Sequence, residues 1–140
     1  MNSPSPSLLL DTCAVIWLFN RSSMSEASRA AISQAATERR LFVSPFTGWE
    51  VATLVRKGKI ALNMPPKLWF GHVAQHSAIT LAVLDHDALI ESCFLPAEPP
   101  GDPADRIIIA TARQSGFTIV TRDRPILDYA KQGHVRAMPC

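Results

Sequence analysis

Short apolar runs alternate along this chain with longer stretches that are apolar on one side only. Leu8–Leu10, Leu41–Ser44, Thr80–Val83, Thr118–Thr121 and Val135–Met138 read as strands. Between them lie stretches of helical length: Ala14–Asn20, Ser25 to about Glu38, Thr47–Lys57, Lys67–His76, Pro103–Ser115 and Pro125–Gln132. A further helix, capped by Asp85, carries Leu89, Ile90 and Phe94. Pro103 suits a first helical turn, while Gly58, Gly116 and Gly133 stand where helices stop. Strands alternating with helices predict an α/β fold built on a mainly parallel sheet. The segment Leu95 to Pro103, rich in proline, reads as a stiff loop, and Ser3–Ser7 as a frayed start.

Length and composition narrow the class. At 140 residues the chain predicts one domain, spanning 1–140, with a core large enough to need no staples. Cys13, Cys93 and Cys140 are odd in number and lack Cys-x-x-Cys spacing, which argues against a zinc ribbon or a disulfide framework. Residues 1–10 carry no basic segment, so no secretory signal is expected, and no apolar run approaches the roughly 20 residues of a membrane span. These features predict a cytoplasmic protein. Cys13 is expected as a small buried hydrophobe, and Trp17, Trp49 and Trp69 in the core or at its edge. His72 and His76 are spaced i,i+4, but no Glu follows His72, so zinc binding is not expected.

Charge draws attention to the acids. Asp11 follows the first apolar run, Glu50 comes shortly after the second, Asp105 stands in Gly101-Asp102-Pro103-Ala104-Asp105-Arg106, and Asp123 follows Thr118–Thr121. Each has a local explanation as a helix cap or first-turn residue; Thr47-Gly48-Trp49-Glu50 in particular fits a capping box. In a parallel sheet, however, the carboxyl ends of the strands share one edge, where such folds bind ligands. Carboxylates converging there repel one another unless a cation neutralises them, and hard oxygen donors suit Mg²⁺ or Mn²⁺. Net charge is only +2, yet setting aside Asp11, Glu50, Asp102, Asp105 and Asp123 leaves half as many acids as Lys and Arg. A basic surface around an acidic hole suits a nucleic-acid backbone.

Four blocks then carry a resemblance across nearly the whole chain. They are Leu8-Leu9-Leu10-Asp11-Thr12; Trp49-Glu50-Val51-Ala52 with Lys57-Gly58-Lys59-Ile60; Asp102-Pro103-Ala104-Asp105-Arg106 with the apolar run after it; and Thr121-Arg122-Asp123 followed by Ile126 and Tyr129. In this order the chain resembles the PIN-domain ribonucleases, and within them the VapC-type toxins of bacterial toxin–antitoxin pairs. The resemblance implies an α/β/α sandwich around a five-stranded parallel sheet, and cleavage of RNA with Mg²⁺ or Mn²⁺. It matches Asp11, Glu50, Asp105 and Asp123 to the acidic quartet, and Thr121 to a supporting hydroxyl. Close relatives often place a His two residues before the Asp-Pro-x-Asp-Arg block, where this chain has Pro100.

The chemistry expected is hydrolysis of a phosphodiester by metal-activated water. Asp11 and Asp105 are the candidate direct ligands, with Glu50 and Asp123 in the outer shell or at a second metal. Thr12, Thr121, Asp102 and Arg106 are supporting candidates; Arg106 would contact phosphate or pair with Asp102. A phosphoaspartyl phosphatase would need an acid at Cys13, and a receiver module would need adjacent acids after the first strand. A housekeeping RNA-processing nuclease would carry the same site, and a non-catalytic interaction module would not need the full quartet. The expected partners are RNA, a cognate antitoxin and a second copy of the chain.

Overall fold

The computed structural model describes residues 5–20 and 24–140. Of the expected frayed start, Ser3 and Pro4 lie outside the described residues, and Ser5–Ser7 precede the first strand without regular structure. The elements run β1 (Leu8–Leu10), α1 (Thr12–Phe19), α2 (Glu26–Thr37), β2 (Leu41–Val43), α3 (Phe46–Arg56), α4 (Pro66–Gln75), β3 (Thr80–Leu81), α5 (His86–Glu91), α6 (Pro103–Ser115), β4 (Thr118–Thr121), α7 (Arg124–Lys131) and β5 (Arg136–Pro139). Among the described residues no helix is long and apolar enough to cross a membrane.

All strand pairs are parallel, in the order β3-β2-β1-β4-β5. The chain therefore begins in the middle of the sheet, moves outward through β2 and β3, then returns to the other side of β1 for β4 and β5. Leu8, Leu9 and Leu10 are each at most 2% exposed, because helices cover both faces. Their side chains alternate between two cores. Leu8 and Leu10 join Val15, Ile32, Val43, Val51 and Trp69 on the face covered by α1 to α4, whereas Leu9 joins Ile109, Phe117, Ile119, Ile126 and Tyr129 under α6 and α7. At about 1.5–3 kcal/mol for each fully buried leucine, this strand anchors both layers. The expected sandwich with a five-stranded parallel sheet is the observed one.

Several local expectations need correction. Helix α3 begins at Phe46, not Thr47, and no side chain caps it. Its expected capping box does not form: the Glu50 side chain accepts a bond from α1, and the buried Thr47 hydroxyl has no partner among the described residues. Helix α5 stops at Glu91, so Phe94 lies beyond it and is exposed. Cys13 is exposed. Trp69 is buried as expected, but Trp49 stands out of the core, stacked on Phe46 at 5.1 Å.

Candidate active site

Two adjacent central strands, β1 and β4, mark the point where the strand order reverses, and their carboxyl ends open a crevice there. Asp11 follows β1 directly and Asp123 follows β4 by two residues. Each is the N-cap of the next helix: the Asp11 Oδ1 accepts from the Ala14 N–H (2.9 Å), and the Asp123 Oδ2 from the Ile126 N–H (3.2 Å). Asp105 reaches the same edge from the first turn of α6, which Asp102 caps through the Ala104 N–H. Glu50 comes from α3, one turn into the helix that follows β2. Asp11, Glu50, Asp102, Asp105 and Asp123 thus line one cavity of about 190 Å³.

Two threonines fix the acids. The Thr12 hydroxyl donates to Glu50 Oε1 at 2.7 Å, tying α1 to α3. The fully buried Thr121 hydroxyl donates to Asp11 Oδ2 and accepts from the Asp123 N–H at 2.9 Å. One hydroxyl therefore spans both strands of the switch point. This role explains why a small hydroxyl residue ends β4.

Electrostatically the cavity is loaded. Burial pushes Asp11 up to about 6, against the favourable bonds from Thr121 and Ala14, and the Asp123 charge adds to the rise. Glu50 is also raised, again chiefly by burial. Asp105 is raised further, first by burial and then by the charge of Asp123. Cys13 has exposed surface, yet partial burial and then the charges of Asp11, Asp123 and Glu50 push its thiol up to about 11. It stays protonated at neutral pH and is no nucleophile.

The sequence model of the PIN domain matches residues 8–132, which include all of these acids. The chain belongs to the PIN-domain family, among its VapC-type members. It is 33% identical over 118 residues to Ribonuclease VapC22 of Mycobacterium tuberculosis (strain ATCC 25618 / H37Rv), covering 84% of this chain and 87% of that protein. Its fold is similar to that of the DNA-bound VapBC from Salmonella typhimurium, with a TM-score of 0.64 at 20% identity over 96% of this chain and 98% of that one. It is similar also to FitAcB from Neisseria gonorrhoeae, with a TM-score of 0.59 at 20% identity over 94% and 96%.

The donors of this PIN domain suit a hard divalent cation: all are carboxylate oxygens, and burial and neighbouring acids raise the proton affinities of Asp11, Glu50 and Asp105, a cost that a bound cation would offset. As they stand the acids line the cavity walls; among the described residues no three His, Cys, Asp or Glu side chains are grouped to hold one ion. Asp102, expected in support, is exposed at the rim as the cap of α6. Arg106 forms no ion pair with Asp102 among the described residues; its Nε donates to the Pro100 carbonyl at 2.6 Å, bracing the proline-rich loop. Pro100, standing where relatives often have His, thus serves through its backbone. The sequence reading missed the specific pairing of Thr12 with Glu50; the signal was a hydroxyl directly after the first acid, in the first turn of α1.

Proposed function

We propose that this PIN domain is a divalent-metal-dependent endoribonuclease, with Asp11 and Asp105 as direct ligands, acting as the toxin of a toxin–antitoxin pair. The observation that carries this reading is the convergence of Asp11, Glu50, Asp105 and Asp123 on one cavity at the sheet's switch point. Mg²⁺ or Mn²⁺ bound there would lower the pKa of water and neutralise charge on the phosphoryl oxygens. The protein's own part is positional. Thr121 holds Asp11 and the start of α7 in register, and Thr12 aims Glu50 into the cavity. Asp105, whose proton affinity is raised by burial and by the Asp123 charge, gives its proton up more readily when positive charge enters. Glu50, half buried and with its proton affinity raised by burial, is suited to accept a proton from attacking water.

The likeness to a named ribonuclease supports RNA as substrate, and the likeness to a chain of the VapBC complex supports an antitoxin as partner; a second copy is proposed on the family resemblance alone. An antitoxin arginine entering the acids would replace the cation, so inhibition and metal binding should compete. The test is RNA cleavage by purified protein with Mg²⁺, Mn²⁺ or EDTA, beside Asp11→Asn and Asp105→Asn. Asn keeps the cap of α1 at position 11 and the side-chain shape at position 105, and removes the charge at both. Both variants should fold and lose cleavage by at least about 100-fold, the upper end of what outer-shell changes cost metal sites; EDTA-resistant cleavage, or an active Asp105→Asn protein, would sink the reading. Growth arrest on expression, relieved by the neighbouring gene product, separates a toxin from a housekeeping nuclease.

A further inference from the structure

An acidic cavity repels the polyanion it is proposed to cut, so a nuclease of this kind needs cations beside the cavity to hold the strand. Such a place adjoins it. Between α7 and the edge strand β5 lies a cleft of about 670 Å³, lined by Arg122, Arg124 and Lys131 with Leu127, Ala130 and Ala137. Asp123, which lines the acid cavity, is flanked in the chain by two arginines of the cleft, so the start of α7 supplies residues to both. Lys131 lies at the other end of that helix, about 10 Å along its axis. The cations thus follow the cleft away from the acids.

Their settings differ in a useful way. Arg122 is built in: its guanidinium lies 3.6 Å from the centroid of the Trp17 ring, and its Nε donates to the Cys140 carbonyl at 2.7 Å. Arg124 is exposed and, among the described residues, belongs to no salt bridge. Lys131 pairs with Asp128, 3.7 Å away on the exposed face of the same helix, a pair too solvated to hold it. Leu127, Ala130 and Ala137 give the cleft an apolar side. Basic residues beside an apolar surface match single-stranded RNA, whose phosphates need cations and whose base faces need cover from water.

We propose that the cleft between α7 and β5 binds the RNA strand next to the scissile phosphate, with Arg124 and Lys131 taking backbone phosphates and Arg122 fixing the entrance. This rests on the ribonuclease reading above. Arg124 and Lys131 are positioning residues, indifferent to sequence, because phosphate contacts carry no base information.

The test uses the full chain and a fluorescein-labelled 12-nucleotide oligouridylate, with anisotropy read in EDTA from 50 to 200 mM KCl. Total cellular RNA with Mn²⁺ gives the cleavage rate in parallel. Losing two contacts to a single strand should reduce the slope of log affinity against log salt by about 1.4 in Arg124→Ala/Lys131→Ala. Affinity at 50 mM salt should fall about tenfold and the cleavage rate with it, while the Mn²⁺-induced rise in Tm stays that of the wild type. Arg39→Gly is the control. It stands before the amino end of β2, at the far edge of the sheet, in a left-handed conformation (φ 57°) that glycine accepts. An unchanged slope and rate in the double variant, or an equal loss from Arg39→Gly, overturns the cleft; so does a double variant defective only in binding an acidic protein partner. A wild-type protein that neither binds nor cleaves RNA brings down the ribonuclease reading and the cleft with it. A wild type that cleaves, beside a double variant that matches it, brings down the cleft alone.

Discussion

Thr121 joins the two halves of the site through a single oxygen, accepting from the Asp123 backbone and donating to Asp11. Thr121→Val keeps the shape and removes both bonds. Outer-shell partners of this kind typically set metal affinity or activity by about 10–100-fold, so the variant should fold, bind Mn²⁺ more weakly and cleave more slowly by about that factor. Calorimetric Mn²⁺ titration beside cleavage assays checks this; wild-type affinity would leave Thr121 only a packing role. The acids also govern stability. Burial raises Asp11 from 3.8 to about 6, so between those values the folded protein binds more protons than the unfolded chain. Stability in EDTA is then full below about pH 4 for this group and falls as pH rises through 6, by about 3 kcal/mol for Asp11. Asp105, raised further, extends the loss to higher pH. Thermal melts should give a lower Tm at pH 8 than at pH 5 in EDTA, with Mn²⁺ raising the value more at pH 8. A metal-insensitive Tm at pH 8 would contradict the site.

At the scale of elements, helix α3 carries a defect. The Thr47 hydroxyl is buried with no partner among the described residues, a state that costs about 1–3 kcal/mol. Thr47→Val should therefore stabilise the protein by about 1 kcal/mol without altering cleavage, since Thr47 touches none of the acids' hydrogen bonds. Chemical denaturation measures the gain, and a loss of stability would mean that the hydroxyl has a partner in solution. This helix also marks the limit of what the sequence disclosed. Runs such as Leu8–Leu10 and Thr118–Thr121 located their strands because burial on both faces leaves little room for polar residues. The caps Asp11, Asp85, Asp102 and Asp123 were readable because a cap bonds only its own next turn. Glu50 misled for the same reason: its spacing from Thr47 fits a local cap, but its real partner, Thr12, is 38 positions away. The exposure of Trp49 and Cys13, and the turn of Arg106 toward Pro100, likewise depend on which helix lies alongside.

For the molecule as a whole, the placement of β1 between β2 and β4 has a consequence in time. The central strand precedes the other four strands in the chain, but its β4 neighbour is the fourth, and the Thr121–Asp11 bond spans 110 positions. At roughly 5–20 residues per second, Asp123 follows Asp11 from the ribosome by roughly 6–20 s. Throughout that interval the chain holds at most Asp11, Glu50 and Asp105, on a half-sheet with one side of Leu8–Leu10 unpaired. A chain ending at Gly116 should neither fold cooperatively nor cleave RNA, and should be degraded or aggregate in cells; a folded, active fragment of that length would refute the dependence. A growing chain therefore cannot complete the acidic site until β4 emerges and pairs with β1.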